Sequence, residues 1–174
     1  MQRQNLEHIL RAASGITGTD RFIVIGSQAI LGQFPNPPQE FLNSFEADLF
    51  TLRTPDDAAL IDGSIGEESP FHRTFGYYAH GVGENTAVLP AGWKDRLISI
   101  STPATGGAIG LCLEVHDLAI SKLIAGREKD LEFVAALFKH HFANPQTMRE
   151  RLAQTPIDDV LRTICEARIT RLSS

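Results

Sequence analysis

Glu46 and Asp48 stand two residues apart in the alternating run Phe45-Glu46-Ala47-Asp48-Leu49-Phe50-Thr51-Leu52, a pattern that predicts a strand. On a strand such a pair shares one face, with Cα atoms about 6.5–7 Å apart, while Ala47 and Leu49 take the opposite face. Carboxylates this close repel one another unless a cation lies between them. A divalent metal resolves that repulsion, and magnesium in particular takes one or two protein carboxylates and fills its shell with water and phosphate oxygens. Upstream, Phe22-Ile23-Val24-Ile25 reads as a buried strand that runs into Gly26-Ser27 and then a short helical stretch from Gln28 to Leu31. Gly26 lets the backbone approach a phosphate closely, and Ser27 offers a hydroxyl and a backbone N–H at a helix start, where negative charge is favoured. Glu46 and Asp48 alone are also how an exposed strand face is built, and Gly26-Ser27 alone is a turn and cap. Their combination is what points to phosphate and metal chemistry.

The elements that must position these residues follow from hydrophobic period. Leu6, Ile9, Leu10 and Ala13 lie at helical spacing in an amphipathic helix over 5–13 that the polar stretch 14–20 ends. Phe34-Pro35-Asn36-Pro37-Pro38 is a loop, since proline fixes φ and removes donors. Further strands are predicted at Phe75–Ala79, Leu97–Ile100 and Ile109–Leu113, the last two forming a hairpin around Gly106-Gly107. From Val115 the period changes from 2 to 3.6, with a break expected at Gly126 and helix starts at Asn144-Pro145 and Thr155-Pro156. The last helix carries Ile157, Val160, Leu161, Ile164 and Ile169 on one side. A strand-rich first part followed by a helical last third predicts an α+β fold: a core over 1–113 with a helical part over 114–174 packed on it as one compact unit.

At 174 residues and 43% hydrophobic content, the chain can bury a core without disulfides or a structural metal. A formal charge of -5 argues against a surface built mainly to grip nucleic acid. Cys112 and Cys165 lie in apolar surroundings and suggest neither a disulfide framework nor a zinc site, so both are expected to be buried thiols. The opening MQRQNLEHIL has no apolar signal core, and no apolar stretch approaches the roughly 20 residues of a membrane span. A cytoplasmic protein with no membrane role is expected.

Strand, Gly26-Ser27, helix and a strand bearing Glu46-x-Asp48 together resemble the nucleotidyltransferase fold, the DNA polymerase β-like superfamily. The later run from Asp117 to Asp130, with Lys122 and the Arg127-x-Lys129-Asp130 segment, and Gly92-Trp93-Lys94-Asp95-Arg96 before it, is similar to small bacterial nucleotidyltransferase-like proteins grouped with the AbiEii-type toxins of toxin-antitoxin and phage-defence systems. The resemblance implies a mixed sheet flanked by helices and an enzyme moving a nucleoside monophosphate from an NTP to an RNA or protein acceptor. It implies Mg2+ or Mn2+ held by Glu46 and Asp48, nucleotide phosphates bound by Gly26 and Ser27, and Lys122 neutralising them. Asp130 becomes a further active-site acid that orients Lys122 or the nucleophile, Arg127 and Lys129 join Lys122 as nucleotide-binding cations, and a basic strip of Lys122, Arg127 and Lys129 could hold an acceptor end. A cognate toxin or antitoxin protein is an implied partner. The alternative it leaves open is a non-catalytic, antitoxin-like binding module of the same fold acting through a protein partner.

Three features depart from the family pattern. The first acid is Glu46 where many members have Asp, which lengthens the reach to the metal by one methylene. Ser27 and Glu46 are 19 residues apart (46 minus 27), the proline-rich loop supplying the excess. The superfamily's third acid belongs on a later central strand, yet Phe75-Gly76-Tyr77-Tyr78-Ala79-His80 contains no carboxylate. Asp130 would then substitute, one metal would suffice, or catalysis has been lost. Four of the six histidines suggest no site: His140-His141 diverge on a helix and read as surface residues, and His80 and His116 read as satisfied, non-catalytic side chains.

Overall fold

The computed structural model describes residues 1–174, which divide into two units: Met1–Thr86 with Leu97–Leu113, and Ala87–Arg96 with Glu114–Ser174. Helical C-terminal sequence and a mixed sheet upstream give the α+β class expected from the change of period.

In the first unit, α1 (Arg3–Thr17) buries Leu6, Ile9, Leu10 and Ala13, the stripe read from the sequence, and ends at Gly18. Each of these larger side chains contributes about 1.5–3 kcal/mol by leaving water. The five strands are β1 (Arg21–Ile25), β2 (Glu46–Phe50), β3 (Tyr78–Gly81), β4 (Ile98–Ile100) and β5 (Ile109–Cys112), in the order β3-β2-β1-β5-β4. β1 is central and its Phe22 to Ile25 are all buried, as a continuous apolar run requires. It pairs antiparallel with β2 and parallel with β5; β2 pairs parallel with β3, and β4 with β5 makes the expected antiparallel hairpin. A parallel pair needs a crossover, and α3 (Asp56–Ile65) and α4 (Pro70–Phe75) supply it between β2 and β3. Neither helix is predicted by the sequence pattern.

The predicted strand Phe75–Ala79 is corrected here. Ser69 caps α4 by accepting from His72 N–H, Pro70 fills its first position, and Gly76 closes it at φ 77°, so Phe75 ends a helix. Its ring lies against Phe71 and His8, at centroid distances of 4.9 and 4.6 Å. The strand begins only at Tyr78.

The second unit holds α5 (Val115–Ala125), α6 (Glu128–Lys139), α7 (Pro145–Ala153) and α8 (Asp159–Leu172). Gly126 at φ 67° breaks α5 from α6, and Asn144 caps α7 with Pro145 at its first position, both as expected. The helix start at Thr155-Pro156 is displaced. Thr155 is buried and its hydroxyl donates to Arg151 O at the end of α7, whereas Asp158 accepts from Leu161 N–H and caps α8. On α8 the buried stripe is Cys165 and Ile169; Val160 and Ile164, expected on the same side, are exposed, Ile164 sitting one residue, about 100°, around the helix from Cys165. Both cysteines are buried free thiols. No helix is long and apolar enough to cross a membrane.

Candidate metal and phosphate site

In β2 the burial alternates as the sequence requires: Ala47 and Leu49 are buried while Glu46 and Asp48 are half-exposed on the other face. Register with β1 sets Asp48 opposite Ile25, one residue before Gly26. Gly26 has φ 69° and ψ -176°, a region essentially confined to glycine, and a Cβ there would stand 2.0 Å from Asp48 Oδ2. The missing side chain is thus the space that Asp48 fills. Ser27 opens a 3-10 turn to Ala29, followed by α2 (Ile30–Gln33), slightly longer than the predicted helical run. With so short a helix the dipole is small. The Ser27 hydroxyl and the backbone N–H groups of the turn are what the chain offers an anion beside Asp48.

The parallel pairing of β2 with β3 brings in a residue read from the sequence as non-catalytic. Register sets Tyr78 opposite Glu46 and His80 opposite Asp48. His80 Nδ1 lies 3.2 Å from Asp48 Oδ1 and 3.3 Å from Glu46 Oε1, and one ligating atom from each of the three falls within 4.8 Å of the others. The chain in sequence gives no partner for His80; its partners lie on a strand more than thirty positions earlier. Tyr78 donates its hydroxyl to Glu46 Oε2 at 3.0 Å. β3 is itself held from behind, where Gly81 N–H donates to Asp62 on α3 at 2.7 Å. Gly81 also lets α3 close in, since a Cβ there would stand 2.1 Å from Ala58 O. Beside the cluster a cavity of about 320 Å³ is lined by Glu46, Asp62, Glu67, Tyr78, Ala79 and His80.

The electrostatics are those of crowded negative charge. Burial, then the neighbouring Glu46, pushes the Asp48 carboxyl up to about 6. Burial also works against ionised Glu46, but hydrogen bonds from Asp48, Tyr78 and His80 more than offset it and hold Glu46 below its usual value. His80 is disfavoured as a cation by burial, yet Asp48 and Glu46 outweigh that and raise its pKa. Burial and the Glu46 carboxylate push the Tyr78 phenol up to about 12, so it remains a donor. Two carboxylates and an imidazole that converge on one point have the chemistry of a divalent-cation site.

The second unit gathers the other expected residues. Lys122 is buried, and its Nζ lies 3.1 Å from Asp130 Oδ1; Arg127 Nε lies 2.6 Å from Asp130 Oδ2. Asp130 therefore spends both oxygens on cations. Burial pushes its carboxyl up, but the Arg127 and Lys122 contacts win and hold it below the usual range. Of the two roles open to Asp130, orienting Lys122 is the one this geometry serves. Along this stretch Gly126 separates α5 from α6, Lys122 and Arg127 are both engaged with Asp130, and Lys129 is exposed on the first turn of α6. Arg96, from the Gly92-Trp93-Lys94-Asp95-Arg96 segment, forks onto fully buried Asp117 through Nε at 2.8 Å and a second nitrogen at 3.0 Å. His116 is satisfied as expected, between Glu114 at 2.7 Å and Asn144 N–H at 3.0 Å.

A family model described as a nucleotidyltransferase of unknown function (DUF6036) matches residues 4–138. Neither a curated protein nor a solved structure matches the chain.

Proposed function

Since the chain belongs to this family of nucleotidyltransferases, we propose that it transfers a nucleoside monophosphate from an NTP to an RNA or protein acceptor, with Mg2+ or Mn2+ held by Glu46 and Asp48. The observation that carries this is the juxtaposition of the two carboxylates with Gly26, whose hydrogen-only side chain admits Asp48 against the Gly26-Ser27 turn. The acceptor oxygen forms a bond to the α-phosphorus, the bond to the bridging β-oxygen breaks, and pyrophosphate leaves with the electron pair; the acceptor proton goes to solvent or a nearby carboxylate. A divalent ion supplies neutralisation of the charge that develops on the phosphoryl oxygens, the larger part of catalysis in such transfers. Glu46 and Asp48 would hold and orient that ion. Ser27 and the turn N–H groups anchor phosphate oxygens. Lys122, oriented by Asp130, is the cation assigned to nucleotide phosphate, and Lys122→Met should weaken NTP binding without removing the metal. Association with a cognate toxin or antitoxin rests on the resemblance and belongs to the same proposal.

The test is transfer of label from α-labelled ATP, CTP, GTP and UTP, with either metal, onto total RNA and onto protein, comparing wild type with Asp48→Ala. Label that appears only with wild type and metal supports the function and names donor and acceptor class. A folded wild type that neither transfers label nor binds NTP would overturn it and favour a partner-binding module.

A further inference from the structure

The pair Glu46 and Asp48 leaves one side of the cation position open in sequence, and the structure closes that side with an imidazole. His80 Nδ1 stands 3.2 Å from Asp48 Oδ1 and 3.3 Å from Glu46 Oε1. Neighbouring donors on an octahedral ion with bonds of about 2.1 Å lie about 3.0 Å apart, so His80 Nδ1 stands from each carboxylate oxygen at nearly the spacing of adjacent ligands, and one ligating atom from each of the three side chains falls within 4.8 Å of the others. Two further features make this a placed group. The β2–β3 register sets His80 directly opposite Asp48, and the Gly81 N–H bond to Asp62 fixes the strand end that carries it. Tyr78 occupies Glu46 Oε2 and leaves Oε1 turned to the imidazole, the kind of outer contact that orients a metal-binding carboxylate. Half of the His80 side chain is exposed, so water or phosphate oxygens can fill the outer positions.

We propose that His80 is the third protein ligand of the metal site and that it gives the site a preference for Mn2+ over Mg2+. It rests on the metal-dependent function proposed above, which by itself does not distinguish the two ions. Mg2+ favours oxygen donors and keeps its water, whereas imidazole nitrogen favours first-row transition ions; Mn2+ accepts carboxylates and imidazole in the same octahedral shell. β3, which lies at the edge of the sheet and has no carboxylate, thereby offers the site a neutral donor. The site has three ligands with one negative charge fewer than three carboxylates would carry, a difference that costs the harder, more weakly bound Mg2+ more than it costs Mn2+.

The experiment is direct binding of Mn2+ and Mg2+ to the full chain, by calorimetry and by Mn2+ electron paramagnetic resonance with detection of nitrogen coupling, in wild type, His80→Asp, His80→Asn and Asp48→Ala. Wild type is expected to bind Mn2+ at least about tenfold more tightly than Mg2+, roughly 1.4 kcal/mol, and to show imidazole nitrogen coupled to the bound ion. His80→Asp should retain a metal but bring the two affinities together, and His80→Asn, which adds no charge and serves if three acids prevent folding, should lose the nitrogen signal and weaken Mn2+ more than Mg2+. Mn2+ bound without nitrogen coupling, at an affinity ratio unchanged in His80→Asn, would overturn the inference and leave the metal-dependent function standing. No binding of either ion by folded wild type would overturn both.

Discussion

Gly26→Ala separates backbone cost from the packing of the site. The φ and ψ of Gly26 lie in a region that costs an L-residue about 1–3 kcal/mol. The new methyl would also stand 2.0 Å from Asp48 Oδ2 and 3.1 Å from its carboxyl carbon, so Asp48 must turn away. Overpacking of this kind adds roughly 1–3 kcal/mol. In an Asp48→Ala background only the backbone term survives, because the nearest remaining atom is the residue-48 Cβ at 3.5 Å, an ordinary contact. Urea unfolding of wild type, both single variants and the double variant should therefore show Gly26→Ala costing about 2–6 kcal/mol alone but only about 1–3 kcal/mol when Asp48 is already truncated. Mn2+ binding, followed in the same preparations, should fall in the Gly26→Ala protein as far as it does in Asp48→Ala. Gly15→Ala is the control: Gly15 lies within α1, a methyl added there meets nothing within 4 Å, and the change should stabilise by about 0.5–1 kcal/mol. Equal costs in the two backgrounds, with metal binding intact, would overturn the claim that Gly26 exists to admit Asp48.

Three further outcomes follow from the ion pairs. Asp130→Ala leaves buried Lys122 without its carboxylate and should cost about 3–5 kcal/mol in urea unfolding, while the double change Lys122→Met with Asp130→Leu recovers most of that. Arg96→Ala should cost a similar amount, about 3–5 kcal/mol, since fully buried Asp117 keeps only Arg151 at 3.8 Å; Arg96→Lys should restore part of the stability because one ammonium cannot reproduce the fork. Burial pushes the Asp57 carboxyl up, but Arg53 and Thr51 outweigh it and hold it below the usual range. A depressed acid stabilises fully above its unfolded pKa of about 3.9 and loses that contribution as pH falls through the lower folded value. Asp57→Asn should thus flatten the acid limb of stability against pH below about 4, and identical limbs for the two proteins would contradict it.

Local pattern determined much of this protein. Alternation along 45–52 put Glu46 and Asp48 on one face and Ala47 and Leu49 on the other, because side chains on a strand alternate whatever the strand pairs with. The same is true of the α1 stripe, of Asn144-Pro145 as a helix start and of the break at Gly126, each set by a few neighbouring residues. Where local signals competed, reading along the chain went astray: Phe75 has a β-forming side chain, yet Ser69, Pro70 and Gly76 cap a helix that ends on it. Hydrophobic period on α8 gave a broad apolar face, and only packing selected Cys165 and Ile169 over Val160 and Ile164. Tertiary structure alone decided the third member of the site. His80 is a single histidine in a four-residue strand, and nothing near it in the chain is acidic enough to mark it. It meets Asp48 because the crossover through α3 and α4 lays β3 parallel to β2 in one register, and a register is fixed by the summed burial of both strands and the helix behind them. Lys122 shows the same division: the sequence marks it as a cation on a helix, but its burial against Asp130 depends on how α6 folds back after Gly126.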